Sequence, residues 1–126
     1  MNDHDARAVG KLYAQDAVAY DPFFPEPLRG PAAIEKDAAN FIRAFPDLKM
    51  TITQTIEQDE RSGAAELRFT GTHDGPLTTP MGDIPATHRK MDLRGAGFVK
   101  VNEKGEITEE RRYYDSGQIM QQLGLV

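Results

Sequence analysis

The sequence contains no cysteine and no tryptophan, and only three of its 126 residues are histidines. The absence of cysteine excludes disulfides, thiol nucleophiles and cysteine-ligated metals. The three histidines, His4, His73 and His88, have none of the spacings that are typical of a metal site. No apolar run approaches the ~18–20 residues that are needed to span a membrane. We therefore expect no metal, no disulfide and no membrane partner.

Positive charge is also scarce, because 15 Lys and Arg stand against 20 Asp and Glu, for a net charge of −5. Nucleic acids need a basic surface, so a nucleic-acid partner is not expected. Neither Gly75 nor Gly82 precedes a helix as phosphate-binding loops require, so nucleotide binding has no support. The N-terminus is polar and acidic, unlike a signal peptide. A cytoplasmic location is the default expectation.

The length and the 39% hydrophobic content predict one domain, residues 1–126, with a real core. Helices are predicted from Asp3 to Tyr13, from Pro31 to Phe45, and after Asp115. Strands are predicted at residues 17–20, 50–58, 65–73, 87–101 and 107–114, with a long Gly- and Pro-rich loop at 74–85. Helices followed by a run of antiparallel strands indicate an α+β domain. A curved sheet wrapped around the N-terminal helices would form a cone with a central apolar cavity.

The last predicted strand carries charge on both of its faces. One face holds Ile107, Glu109, Arg111 and Tyr113, and the other holds Thr108, Glu110, Arg112 and Tyr114. Buried charges are rare unless they are paired or functional. The strand therefore either lines a ligand pocket or is a solvated edge strand. On the neighbouring long strand, Gly95 and Gly97 either leave space on the inner face or mark a bulge.

Several segments together resemble a known family. They are Asp-Pro at 21–22, Pro-Leu-Arg-Gly at 27–30, Phe-Pro-Asp-Leu at 45–48, Gly-Thr-His-Asp-Gly-Pro at 71–76, Asn-Glu-Lys-Gly at 102–105, Tyr-Tyr-Asp at 113–115 and Gln-Leu-Gly-Leu at 122–125. In order and spacing they resemble the SnoaL-like polyketide cyclases, which belong to the wider group similar to nuclear transport factor 2 (NTF2). The resemblance covers nearly the whole chain.

The resemblance implies an α+β cone, a homodimer and an apolar cavity, with no metal or organic cofactor. Relatives include aldol cyclases, ketosteroid isomerases, limonene-epoxide hydrolases and members of no known activity. In the cyclases a carboxylate on the last strand serves as general acid or base. Counting back from Asp115, that position holds Arg112 here, and the position of a family histidine holds Glu110. The chain departs from the family pattern at these two positions.

The candidate catalytic residues are His73, Arg112 and Tyr114. His73 is either an acid or base at the cavity or a hydrogen-bonded histidine at a strand end. Arg112 and Tyr114 share a face and can hold an anionic or carbonyl oxygen. The candidate substrate-binding residues are Tyr13, Asp21, Phe24, Phe41, Phe69 and Glu110.

Three of the substrate-binding assignments leave an alternative open, and so does the role of Asp115. Glu110 either faces the ligand or simply pairs with Arg112. Asp21 is either a carboxylate at the pocket rim or a turn former before proline. Phe24, with Phe23, either packs onto the core or forms a wall of the pocket. Asp115 is the N-cap of the last helix, or else a replacement for the missing acid.

Two functions from different classes follow. The first is a cofactor-free cyclase, isomerase or hydrolase that acts on a small, mostly apolar oxygenated molecule. The second is a non-catalytic protein of the same fold that binds such a molecule. The polar outer faces of the strands, rich in threonine, also predict a two-fold contact and hence a homodimer.

Overall fold

The computed structural model describes residues 3–126, which form three helices and eight strands. The helices are α1 (Ala6–Gly10), α2 (Gly30–Ala44) and α3 (Ser116–Gln122). The strands are β1 (Tyr13–Tyr20), β2 (Leu28–Arg29), β3 (Lys49–Asp59), β4 (Ser62–Thr72), β5 (Leu77–Thr79), β6 (Gly82–Ile84), β7 (Lys90–Val101) and β8 (Ile107–Tyr114). No helix of these residues is long and apolar enough to cross a membrane.

Six strands form one mixed sheet in the order β2-β1-β8-β7-β4-β3, and β5 and β6 form a separate hairpin. Strands β3, β4, β7 and β8 are an antiparallel meander, as the sequence predicts. Strand β1 pairs with β8 in parallel, and helix α2 and the meander between them provide the long crossover that such a pairing requires. The predicted α+β class is confirmed.

The first helix is shorter than the predicted span from Asp3 to Tyr13. Asp5, not Asp3, caps it by accepting hydrogen bonds from the backbone N–H groups of Arg7 and Ala8, at 3.0 and 3.3 Å. The helix ends at Gly10, which has a low helix propensity. Tyr13 consequently begins strand β1 and is 7% exposed. The predicted helical position of Tyr13 is therefore wrong.

The predicted loop at 74–85 is partly ordered as the β5–β6 hairpin, in which Leu77 pairs with Ile84. Leu77 is buried in the core, which explains why this segment folds back against the domain. The long strand that follows begins at Lys90 and not at the predicted Thr87. His88 has a φ of +60°, a conformation that ends regular strand geometry there.

The core of the domain contains two hydrophobic clusters. The larger comprises Ala44, Phe45, Leu48, Leu77, Met91, Leu93, Ile119 and Leu123. The smaller comprises Tyr13, Ala17, Ala19 and Ile34. The apolar stripe of α2 contributes to both clusters, since Ile34 lies near its start and Ala44 at its end. This arrangement positions α2 across the inner face of the sheet.

Asp115 is the N-cap of α3, as predicted. Its side chain accepts a hydrogen bond from the backbone N–H of Gln118 at 3.2 Å, and its backbone is extended. The side chain is exposed and the helix begins at the next residue. Asp115 therefore satisfies one of the free N–H groups that every helix start presents.

Replacing Asp115 by alanine is expected to lower the free energy of unfolding by about 0.5–2 kcal/mol, the usual cost of a lost N-cap. Urea denaturation measures this difference, and Asp115→Asn is the control because asparagine caps equally well. Unchanged stability together with lost activity in Asp115→Ala would instead make Asp115 the catalytic acid.

Candidate functional site

A pocket of about 330 Å³ lies between α2, the loop after β1 and the inner face of the sheet. Such a volume is at the lower end of the range for small-molecule sites. Most of its lining is apolar and aromatic, contributed chiefly by Phe23, Phe24, Phe41, Met50, Leu67, Phe69, Leu77, Leu93 and Ile119. Polar side chains are concentrated where β8, β1 and α2 meet. The pocket therefore has apolar walls and one polar end.

Arg112 is the centre of the polar end and binds three carboxylates. Its Nη1 donates to Oδ2 of Asp21 at 3.0 Å and to Oδ2 of Asp37 at 2.9 Å. Its Nε donates to Oε1 of Glu110 at 3.1 Å. The Arg112 side chain is 20% exposed and that of Asp21 only 7%. The guanidinium thus connects β8, the end of β1 and α2 in a largely buried charge network.

Two tyrosines complete this network with their hydroxyl groups. Tyr13 donates to Oε1 of Glu110 at 2.7 Å, and Tyr114 donates to Oδ1 of Asp21. Burial, and then the negative charge of these carboxylates, raises the pKa of both phenols. Both tyrosines therefore keep their protons at neutral pH and act as hydrogen-bond donors.

Burial and neighbouring charge act in opposite directions on Asp37 and Arg112. Burial raises the pKa of the Asp37 carboxyl, and the nearby guanidinium of Arg112 only partly opposes that shift. Burial alone would lower the pKa of Arg112, but Glu110, Asp37, Tyr13 and Asp21 raise it well above its usual value. Arg112 is thus a permanent cation, whereas Asp37 takes up a proton more readily than an ordinary aspartate.

Three polar atoms of this network have no hydrogen-bond partner among the described residues. They are Oδ1 of Asp37, Oε2 of Glu110 and Nη2 of Arg112. Within residues 3–126, only Nε2 of His73 is a fully buried side-chain polar atom that lacks a partner. The three open atoms are therefore accessible, and their residues line the pocket. Both oxygens of Asp21, in contrast, already accept hydrogen bonds.

Gly95 of β7 makes room for Tyr114, and both Gly95 and Gly97 line the pocket. Gly97 lies opposite Arg112 and Gly95 opposite Tyr114 in the β7–β8 ladder. A Cβ on Gly95 would approach Cβ of Tyr114 to 3.1 Å. The ladder is regular at both glycines, and its register shifts only between Lys100 and Val101. Of the two predicted roles, leaving space is confirmed and marking a bulge at these positions is wrong.

The structure brings together eight of the nine predicted site residues. The pocket is lined by Tyr13, Asp21, Phe24, Phe41, Phe69, Glu110, Arg112 and Tyr114. Arg112 therefore lies on the inner face of β8, whereas Arg111 and Tyr113 are about half exposed on the outer face. Glu110 pairs with Arg112 and still has one open oxygen. Asp21 both lines the pocket and forms the predicted turn, since it accepts the backbone N–H of Phe23 at 2.9 Å.

His73 is the exception, because it does not line the pocket. It follows the end of β4, is 0% exposed, and its Nδ1 accepts the backbone N–H of Thr87 at 3.2 Å. The ring of Phe45 lies 5.5 Å away, and Phe45 also packs against Gly71. The alternation of β4 predicts that the side chain of His73 points into the cavity. Phe45 occupies that space instead. The predicted position of His73 at the cavity is therefore wrong, and the strand-end alternative describes it.

The sequence reasoning missed Asp37 of α2. The missed signal is a charged residue inside an apolar stripe: Asp37 lies three residues after Ile34 and four before Phe41, on the helix face that turns inward. Asn40, one turn further along α2, also lines the pocket. A carboxylate at such a position requires a partner, which Arg112 provides.

The carboxylate cluster is not arranged as a metal site. No group of three or more His, Asp or Glu residues within 3–126 is placed to hold a metal ion. The reason is visible at Arg112, whose guanidinium occupies the position between Asp21, Asp37 and Glu110.

The buried His73 gives a pH prediction. Burial lowers its pKa; Asp74 partly opposes this shift by raising the pKa, and His88 adds to the lowering. Below the unfolded-state value of ~6.5 the unfolded chain binds a proton that the folded chain does not. We therefore expect stability to fall as the pH drops below ~6.5, by at most ~1.4 kcal/mol per pH unit from this group.

Urea denaturation between pH 7.5 and pH 5 measures that slope in the wild type and in His73→Gln. The difference between the two slopes isolates His73 from His4 and His88. An identical slope in both proteins would contradict a depressed pKa at this residue.

Several solved structures have the same fold as this chain. TsrD from Streptomyces laurentii is 18% identical, with a TM-score of 0.81 over 99% of this chain and 87% of that one. AclR from Streptomyces galilaeus is 21% identical, with a TM-score of 0.80 over 99% and 74%. A Catenulispora acidiphila protein with a ketosteroid isomerase-like fold, solved with trimethylamine, is 20% identical, with a TM-score of 0.76 over 97% and 84%.

These similarities define the fold as a curved, mixed α+β sheet with three helices of the NTF2-like, ketosteroid isomerase-like type. The family model of the SnoaL-like polyketide cyclases matches residues 1–123, so the chain belongs to that family. No curated protein matches the sequence significantly.

Proposed function

We propose that the protein is a cofactor-free acid–base enzyme of cyclase, isomerase or hydrolase type, acting on a small, mostly apolar oxygenated molecule. The observation that carries this proposal is a pair of carboxyl groups, Asp37 and Glu110, each with one open oxygen at the polar end of an apolar pocket. Family membership supports the same class of chemistry.

The two carboxyls are suited to opposite tasks. Asp37, whose pKa is raised by burial, is the proton donor. Glu110 is the base, held by Tyr13 and Arg112 through Oε1 while Oε2 faces the ligand. Arg112 and Asp21 position the pair, and the open Nη2 of Arg112 can hold an oxygen of the ligand.

In a carbonyl substrate, Oε2 of Glu110 takes a proton from the α-carbon, and the C–H electron pair forms the double bond of the enol. The carbonyl oxygen takes the proton of Asp37. Cyclases and isomerases share this step. In a hydrolase the same base takes a proton from water, whose oxygen attacks carbon, while Asp37 protonates the departing oxygen.

The test is incorporation of deuterium from D₂O into the α-position of small cyclic ketones and β-keto esters, followed by NMR. A parallel panel of cyclic epoxides tests hydrolysis. Catalysed exchange or hydrolysis supports the enzyme. Saturable binding of such molecules with neither reaction supports the second candidate, a non-catalytic binding protein, which the departure at Arg112 from the usual family aspartate favours.

A homodimer is the second part of the proposal, and the outer face of the sheet supports it. One row of paired positions crosses this face through Ile56, Phe98, Arg111 and Tyr20. Phe98 packs edge-on against Tyr113 at 5.8 Å, and each ring is 54% exposed. The face thus carries exposed aromatic side chains that the threonine-rich surface predicted from sequence did not include. Exposed aromatic clusters of this kind are typical of contact surfaces.

Phe98→Glu is expected to convert the dimer into a monomer, because it replaces one ring of the exposed Phe98–Tyr113 pair by a carboxylate. Sedimentation equilibrium at micromolar concentration measures the mass, which is 14.0 kDa for one chain. Met81→Glu is the control, since Met81 is 99% exposed on the β5–β6 turn, away from this face. A monomeric wild type would end the dimer proposal. The absence of a nucleic-acid partner and a cytoplasmic location stay predictions.

A further inference from the structure

We infer that the pocket selects ligands by charge: it takes a lipophilic molecule that carries a basic, positively charged nitrogen and excludes the matching carboxylate. The inference rests on the proposed function, because it names the substrate class of the same pocket. It reverses one expectation from the sequence, in which Arg112 fixes an anionic oxygen of the ligand.

The charged residues that line the pocket give it a net negative charge. Among the described residues that line the pocket, Arg112 is the only basic one, and three carboxylates surround its guanidinium. One positive and three negative charges leave a formal −2, or −1 when Asp37 carries a proton. Net negative charge in an apolar pocket is costly, and a cation that enters is attracted more strongly than in water.

The polar atoms without partners at the polar end of the pocket also favour a cation. Oδ1 of Asp37 and Oε2 of Glu110 are acceptors without partners among the described residues, and both belong to residues that line the pocket. An ammonium group has three donors and no acceptor, which matches two free carboxylate oxygens. A bound cation favours the ionised form of Asp37 over the protonated form that donates in the proposed reaction. A ligand carboxylate has only acceptors, and the open donor of this network, Nη2 of Arg112, lies between negative groups.

The aromatic walls of the pocket also favour a cation. Aromatic rings line the pocket beside its polar end, among them Phe23, which packs against Tyr114 at 6.2 Å between ring centroids. Ring faces attract a cation and the body of the ligand alike. The walls therefore add to the preference for a cation and give an anion no compensation.

The test uses three probes with one ring system: 2-naphthylmethylamine, 2-naphthalenemethanol and 2-naphthoate. Isothermal titration calorimetry at pH 7 measures the affinity of each for the full chain. We expect the amine to bind at least tenfold tighter than the alcohol, and the alcohol at least tenfold tighter than the carboxylate. Equal affinities, a preference for the carboxylate, or no binding of any probe would overturn the inference.

Variants locate the preference within the pocket. Asp37→Asn and Glu110→Gln should each reduce the amine-to-alcohol ratio at least threefold, with the alcohol affinity nearly unchanged. Asp16→Asn is the matched control, because it removes the same charge from an exposed position outside the pocket. A ratio that falls equally in Asp16→Asn would mean that the net charge of the whole protein sets the preference, and would contradict the site.

The two proposals fail separately. Tight amine binding without deuterium exchange or epoxide hydrolysis would end the enzymatic proposal and leave the charge selectivity intact. Catalysed exchange on neutral ketones, with equal affinity for the three naphthyl probes, would end the selectivity and leave the enzyme.

Discussion

Replacing Arg112 by alanine is expected to lower the free energy of unfolding by about 3–5 kcal/mol, a large share of the ~5–15 kcal/mol of a typical domain. The substitution leaves Asp21, Asp37 and Glu110 together in a largely buried site without their common cation. Uncompensated buried charges cost more than the loss of any single hydrogen bond. Urea denaturation at pH 7 measures the change.

The neighbouring Arg111→Ala is the matched control for this prediction. Arg111 has the same side chain one residue earlier on β8, but it is about half exposed and pairs with Glu109 at 3.5 Å. Exposed pairs contribute ~0–1 kcal/mol, so this variant should remain close to wild type. Arg112→Lys should lie between the two, because a single ammonium cannot reproduce the planar fork of the guanidinium. Equal losses in the two alanine variants would mean that the carboxylate network adds no stability.

Replacing Asp37 by asparagine is expected to reduce catalysed deuterium exchange by a factor on the order of 10²–10⁴, the usual contribution of a general acid or base. Asparagine has the same shape and keeps an oxygen that accepts from Nη1 of Arg112, so the fold should persist. The asparagine amide cannot donate the proton that Asp37 supplies to the substrate. NMR exchange assays in D₂O at saturating concentrations of the best ketone substrate measure the loss in kcat.

Two comparisons make the Asp37 result specific. Asp16→Asn should exchange deuterium at the wild-type rate, because Asp16 is exposed and does not line the pocket. Binding of 2-naphthalenemethanol to Asp37→Asn should remain close to wild type, which separates lost chemistry from a collapsed pocket. Full activity in Asp37→Asn would contradict its role as the acid.

The strands of the meander were predictable because their alternation and their turns are local features of the sequence. Which face of β8 turns inward was not, because both faces carry one glutamate, one arginine and one tyrosine. The answer depends on long-range pairing: Gly95 of β7 leaves room opposite Tyr114, and Gly97 lies opposite Arg112. Patterns within one strand do not contain that information.

Three errors of the sequence-based prediction have the same origin, which is packing between segments distant in the sequence. Helix α1 ends early at Gly10, which packs against α2: a Cβ there would meet Cβ of Glu35 at 3.2 Å. His73 shares the alternation of β4 with Leu67 and Phe69, yet Phe45 of another segment fills the space in front of it. Asp37 was overlooked because its partner lies 75 residues away on β8. Tertiary packing decided each of these cases.

The measurement that tests the central claim most directly is a titration of the Asp37 carboxyl carbon by NMR, with the signal identified by its absence in Asp37→Asn. An acid that faces the ligand must hold its proton more tightly than a free aspartate, whose pKa is ~3.9. We predict a midpoint above that value, as burial requires. A midpoint at or below ~3.9 would show a carboxylate held ionised by Arg112, and would contradict the assignment of Asp37 as the proton donor.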